Sequence, residues 1–196
     1  MEKPYSLINP LNYPDYKELV VNYSETGKCT GEQLPERIEA TKINAQRIKR
    51  IDKTYVPSDK IVKQIQKISS PVMWVMIVES WCGDAAQNLP IIAKLASLNP
   101  YIELMIILRD ENPDIMDLHL TNGSRSIPKL IILDPVFKSL LKEWGPRPAA
   151  IQKMVKEYKL ANPEVTHDEF VKNLHLWYAK DKGLSLEQDL LSLLES

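Results

Sequence analysis

Three short apolar runs constrain this chain more than any other feature: Val72-Met-Trp-Val-Met-Ile-Val78, Leu104-Met-Ile-Ile-Leu108 and Leu130-Ile-Ile-Leu133. Each is uncharged, β-branched and too short for a lone buried helix, which suits a strand covered on both faces. A helical stretch from about Asp84 to Ser97 separates the first two, and a shorter one, Pro113 to Leu120, separates the second and third. Asn112-Pro113 supplies a cap followed by a first-turn proline. Strands alternating with helices predict an α/β fold built from parallel βαβ units. Phe137 to Trp144 reads as a further strand, and Lys138, Lys142 and Glu143 place it near an edge. Gly145-Pro146-Arg147-Pro148 then turns the chain into a helix at about 149–160.

The flanks read as helical. Thr30 and Gln33 have capping-box spacing, and Leu34, Ile38, Thr41, Ala45, Ile48 and Ile51 follow on one helical face. Pro57 closes that helix, and Ser58-Asp59 opens the next. Beyond Pro163, Thr166 and Glu169 form a second capping box. Gly183 ends that helix, and Ser185 and Gln188 open a last one rich in leucine. One cooperative domain is expected, with a helical extension over 1–67, a core over 68–160 and a second helical extension over 161–196.

Composition narrows the function. Lys+Arg 25 against Asp+Glu 26 leaves a net charge of −1, so neither nucleic acid nor an anionic membrane is an expected partner. Arg47, Lys49, Arg50 and Lys53 cluster, but Glu32, Glu36, Glu39 and Asp52 are expected on the same helix, and a solvated charged face is the simpler reading. Two cysteines cannot build a secreted disulfide framework. The first ten residues lack a signal pattern, and the longest uncharged apolar run is far below the roughly 20 residues of a membrane helix. A soluble cytoplasmic protein is therefore expected. His119, His167 and His175 lie too far apart in sequence to suggest a zinc site. Trp177, Tyr178 and the leucines of 190–194 are expected to pack on the core.

The chemistry concentrates in Glu79-Ser-Trp-Cys-Gly-Asp-Ala85, directly after the first buried strand. A thiol at a helix N-terminus sits near unpaired backbone N–H groups and the positive end of the helix dipole, both of which favour thiolate. Gly83 leaves the sulfur unshielded, whereas the Asp84 carboxylate opposes ionisation. The expected balance is a modestly depressed pKa for Cys82. Glu79, Arg109 and Glu111 end buried strands and are candidates to tune that thiol.

Trp81-Cys82-Gly83-Asp84-Ala85 resembles the thioredoxin family's Trp-Cys-Gly-Pro-Cys motif. Arg125-Ser-Ile-Pro-Lys-Leu130 is similar to that family's cis-proline segment, Asp110-Glu-Asn-Pro113 to its acidic turn, and Trp144-Gly145 to its approach to the final helix. The likeness covers about 68–160 and is nearest to a bacterial thioredoxin-like subgroup with helical additions. It implies a three-layer α/β/α sandwich on a mixed sheet, with extra helices at both termini. It also implies that Cys82 is the nucleophile and that Trp81, Gly83, Ile127 and Pro128 line the substrate groove, with an exposed Trp81 covering the sulfur.

Two departures limit what carries over. Ala85 replaces the second cysteine, and Met76 stands where the family has the buried carboxylate that serves it. Both losses strike release of a mixed disulfide by a resolving thiol. Cys82 then acts alone, with protein or small-molecule disulfides as partners and a low-molecular-weight thiol as co-substrate; no other cofactor is expected. Two alternatives stand beside this. Cys29, in a flexible glycine-flanked loop, resolves the adduct; or the fold is a redox-inactive peptide- or protein-binding module. The missing thiol predicts negligible insulin reduction in the presence of thioredoxin reductase. Robust turnover in that turbidity assay would contradict a monothiol site.

Overall fold

The structure, a computed structural model, describes residues 5–136 and 139–195. Three helices come first: α1 (Tyr13–Thr26), α2 (Pro35–Thr54) and α3 (Asp59–Gln66). The centre is β1 (Val72–Val78), α4 (Gly83–Ala96), β2 (Ile102–Leu108), α5 (Pro113–Met116), β3 (Lys129–Leu133) and β4 (Leu140–Trp144). Helices α6 (Ala149–Ala161), α7 (His167–Asp181) and α8 (Leu184–Glu195) complete the chain. Helices lie on both sides of a mixed four-stranded sheet of order β2-β1-β3-β4, a thioredoxin-like α/β fold.

The three apolar runs are the three strands β1, β2 and β3. Only β1–α4–β2 is a parallel unit, with Val75 opposite Met105. The expectation of a second parallel unit is corrected: β3 runs antiparallel to β1, pairing Ile77 with Lys129, and β4 runs antiparallel to β3. The reason lies in α5. Its four residues span only about 6 Å at 1.5 Å per residue, too little to carry the chain back along the sheet. The chain therefore re-enters from the end where β1 and β2 stop. That brings Pro128, just before β3, to the end of β1 where Cys82 follows.

β4 lies at one edge, as its charges imply. It begins at Leu140, and Phe137 and Lys138 lie outside the described residues. The other edge, β2, is covered by Leu11, whose N–H and C=O both bond Ile106 at 2.8 Å. Trp74, Ile77, Ile106 and Leu130 fill the sheet's interior. Leu89, Ile92 and Leu95 of α4, Tyr16 of α1, Ile48 of α2, Ile61 of α3 and Leu190 of α8 close over it. Trp177 and Tyr178 depart from the expected core packing. They join Ile151, Phe170 and Leu174 in a separate small cluster between α6 and α7.

Capping follows the sequence in part. Thr166 and Glu169 form the expected box, and Ser58 caps α3 through the Ile61 N–H. Thr30 and Gln33 do not form one: α2 starts at Pro35 after an uncapping Leu34. Gln33 instead folds back, its amide donating to the Cys29 carbonyl at 2.6 Å and accepting from the Cys29 N–H at 3.1 Å. Ser185 lies inside α8, bonded back to Asp181, rather than at its cap. Among the described residues no helix is long and apolar enough to cross a membrane.

Leu190 is fully buried in the main core although it lies in the C-terminal extension. Leu190→Ala is expected to cost about 2–5 kcal/mol and to leave a single urea transition with an unchanged slope. Two separate transitions would show that residues 161–196 fold on their own.

Candidate functional site

Cys82 is the N-cap of α4. Its Sγ accepts the Ala85 N–H at 3.4 Å and donates to the Ile127 carbonyl at 3.4 Å. The peptide bond from Ile127 to Pro128 is cis. Gly145 backs this turn with φ +126°, where a Cβ would stand 2.4 Å from the Pro128 carbonyl oxygen. Only glycine allows that approach. Cys82, Ile127 and Pro128 are therefore brought together across residues far apart in sequence.

Cys82 is only 8% exposed, and this burial corrects the expected pKa depression. Burial, then the Asp84 carboxylate, pushes the thiol up to about 12, against weaker help from the Ala85 and Asp84 N–H groups and Arg147. The helix terminus loses because its donors reach a sulfur already stripped of water. A rise of three from 9.0 corresponds to about 4 kcal/mol against ionisation. At neutral pH the resting thiol holds its proton, consistent with its donation to Ile127.

Asp84 holds the C-terminal helices against the first turn of α4, beside this thiol. Its carboxylate takes Arg147 Nε at 2.8 Å and Nη2 at 2.7 Å, and on its other oxygen the Tyr178 hydroxyl at 2.7 Å. Asn88 donates to both the Asp84 carbonyl and the Tyr178 hydroxyl. His175, one turn earlier on α7, packs against Gly83: a Cβ there would lie 2.8 Å from the ring's Cε1 and Nε2. Burial, then Arg47, Arg147 and Arg50, drives His175 down to about 3, so it is neutral. The α6–α7 pair thus docks on the site through polar contacts, while its apolar residues pack on each other.

The other candidates separate into two groups. Trp81 is half-buried rather than exposed, held between the guanidinium groups of Arg37 and Arg109 at 4.6 and 4.9 Å from its ring centre. Glu79 is fully buried. It accepts from the Thr30 hydroxyl and, at 2.8 Å, from the Asp110 N–H, and burial raises its pKa. Glu111 is exposed and accepts from Asn9 at 3.0 Å, so it belongs to the rim of the N-terminal segment. The Cys29 loop is not the flexible element expected. Cys29 is buried, clamped by Gln33, with Sγ donating to the Glu32 carbonyl at 3.2 Å, and both cysteines are free thiols. Its neighbour Thr30 reaches the site's floor, its N–H donating to Ser80 Oγ at 2.9 Å.

Sequence reasoning missed Arg147, Tyr178, His175 and Arg47. Arg147 was visible only as part of a turn, and Tyr178 and His175 only as one face of a helix outside the core. The available signal was Asp84 itself, since a carboxylate beside a buried strand end needs a cation. Arg47 departs from the solvated face assigned to its cluster: it is half-buried and bonded to Asn44 at 2.8 Å, whereas Lys49 and Lys53 are exposed.

A lone thiol at a helix N-terminus opposite a cis-proline, on a mixed sheet between helices, defines a thioredoxin-like protein. The family model described as thioredoxin matches residues 31–159, and the chain belongs to the thioredoxin family. Two solved structures share the fold over almost the whole chain. A crystal structure of a protein of unknown function from Pseudomonas aeruginosa is 22% identical, covering 94% of this chain and 98% of its own, with a TM-score of 0.57. An HIV epitope scaffold is 21% identical at the same coverage, with a TM-score of 0.55. No curated protein matches the chain.

Because Asp84 is the second cause of the raised thiol, Asp84→Asn removes a nearby negative charge and frees Arg147. The apparent pKa of Cys82, read from the pH dependence of iodoacetamide alkylation in the folded protein, is expected to fall below about 12. An unchanged or higher value would assign the shift to burial alone.

Proposed function

We propose that this protein carries out thiol–disulfide exchange through the single thiol of Cys82, which the α6–α7 pair guards at rest. The observation that carries the reading is the 3.4 Å contact between Sγ and the Ile127 carbonyl, beside cis Pro128. Attack on a disulfide needs a sulfur next to backbone groups that can align an extended partner, and this turn offers both. The chemistry runs in two balanced exchanges. Cys82 loses its proton to solvent, and its thiolate attacks a disulfide. A Cys82–S–S–R bond forms while the leaving sulfur departs as R′S⁻. A low-molecular-weight thiolate then attacks the substrate sulfur of that adduct, releasing Cys82 as thiolate. Substrate and small thiol end as a new mixed disulfide, with no net change in the protein.

The guard sets when the first step occurs. With its pKa at about 12, about one molecule in 10⁵ carries the thiolate at pH 7 in the closed state. Opening of the site to water on binding a partner removes the largest cause of the shift. The helix N-terminus then acts in favour of thiolate. Partners are protein or small-molecule disulfides, and a reducing, cytoplasmic setting suits two free cysteines.

One observation favours a second reading. A buried, protonated Cys82, 8% exposed, suits a redox-inactive module that keeps only the peptide-binding groove. Intact mass after incubation of the folded protein with glutathione disulfide separates the two. One glutathionyl adduct, lost in Cys82→Ser and kept in Cys29→Ser, is the expected result. It should form faster in Tyr178→Phe, whose guard lacks the Asp84 hydrogen bond. Loss of two hydrogens would mean a bridge to Cys29. No change except after unfolding would favour the binding module.

A further inference from the structure

Beside the guarded thiol, a groove of about 450 Å³ runs between α2 and α7, lined by Arg47, Arg50, Lys172, His175 and Asp168. Its cations are poorly matched. Arg47 bonds the neutral Asn44 amide oxygen at 2.8 Å, and Arg50 bonds the neutral Gln87 oxygen at 3.3 Å. Neither guanidinium forms an ion pair among the described residues, in contrast to Arg147, which has Asp84. Asp168, on the first turn of α7, is exposed and is the one acid among the residues lining the groove.

The hydrogen bonds fix where the donors point. Arg50 can only donate, so the atom it meets on Gln87 is the amide oxygen. The Gln87 nitrogen, 3.1 Å from His175 Nδ1, must then donate to it. In the neutral ring the proton therefore sits on Nε2. That N–H and Arg47 Nη1 converge beside Gly83, lying 2.8 and 3.3 Å from the position of a Cβ built there. Arg47, Arg50 and Lys172 outnumber the single acid Asp168, and a donor set whose two guanidinium groups form no ion pair among the described residues is complementary to an oxyanion. The groove is larger than a bare phosphate, and Val171, Leu176 and Ala179 give it an apolar wall.

We propose that the α2–α7 groove is a binding site for a small organic oxyanion, its charged end on Arg47 and Arg50 and its body against α7. The shared chemistry is an anionic, oxygen-rich head, supplied either by a phosphate monoester or by a carboxylate of a peptide-like thiol. The site stands whether or not Cys82 exchanges disulfides, since none of its ligating groups is the thiol.

Calorimetric titration of the full chain at constant ionic strength tests this, with three probes: inorganic phosphate, glycerol phosphate and S-methylglutathione. The last cannot react with a thiol. Saturable one-to-one binding of at least one probe is expected, weakened about tenfold or more in Arg50→Gln and in Arg47→Gln. Arg50 is exposed, so its variant keeps the test informative if Arg47→Gln misfolds. Lys49→Gln, on an exposed residue of α2 outside this groove, should bind as the parent does. Preference among the probes tells the phosphate source from the carboxylate one. The proposal is overturned by absence of saturable binding to all three, by affinity indifferent to both arginine variants, or by an equal loss in Lys49→Gln.

Discussion

The carboxylate of Asp84 is the point on which the site's architecture turns. It is 8% exposed, and a charge so deep must find partners or lose its proton. Arg147, from the turn before α6, and Tyr178, from α7, are those partners. By satisfying Asp84 they tie the C-terminal helices across the first turn of α4. The same negative charge stands against ionisation of Cys82 two residues away. The charge that ties these helices down therefore adds to burial in keeping the thiol protonated.

The two sides of the thiol are built differently. On the Trp81 side, the indole lies between two arginines, and beneath it Thr30, Ser80 and Glu79 form a buried polar floor. That floor anchors the loop carrying Cys29 through Thr30. On the α7 side the contacts are hydrogen bonds to side chains: Tyr178 to Asp84, Asn88 to Tyr178, and Gln87 to His175. The hydrophobic residues of α6 and α7 face each other instead of the main core.

Much of the fold was legible locally. β1 coincides with its apolar run, and the Thr166–Glu169 box formed because both side chains had only their own helix end to bond. The Thr30–Gln33 pattern failed because Thr30 had a stronger claim on it from the buried carboxylate of Glu79, forty-nine residues away in sequence. Cys82 and Pro128 were legible from motif and order. Ionisation of the thiol was not, since the helix-terminus argument concerns local dipoles and the decisive factor was loss of water imposed by distant segments.

The sequence by itself determined which stretches become buried strands, where the chain turns, and that one thiol without a neighbouring second thiol begins the central helix. These follow from hydrophobic periodicity, proline and glycine placement, and residue identity, all of which act over a few residues. Tertiary structure alone decided that β3 runs antiparallel, that α7 docks on the first turn of α4 beside the thiol, and that Arg147 rather than Arg47 neutralises Asp84. Those outcomes depend on which desolvated groups meet after the chain has folded back on itself, and burial is a property of the assembled whole.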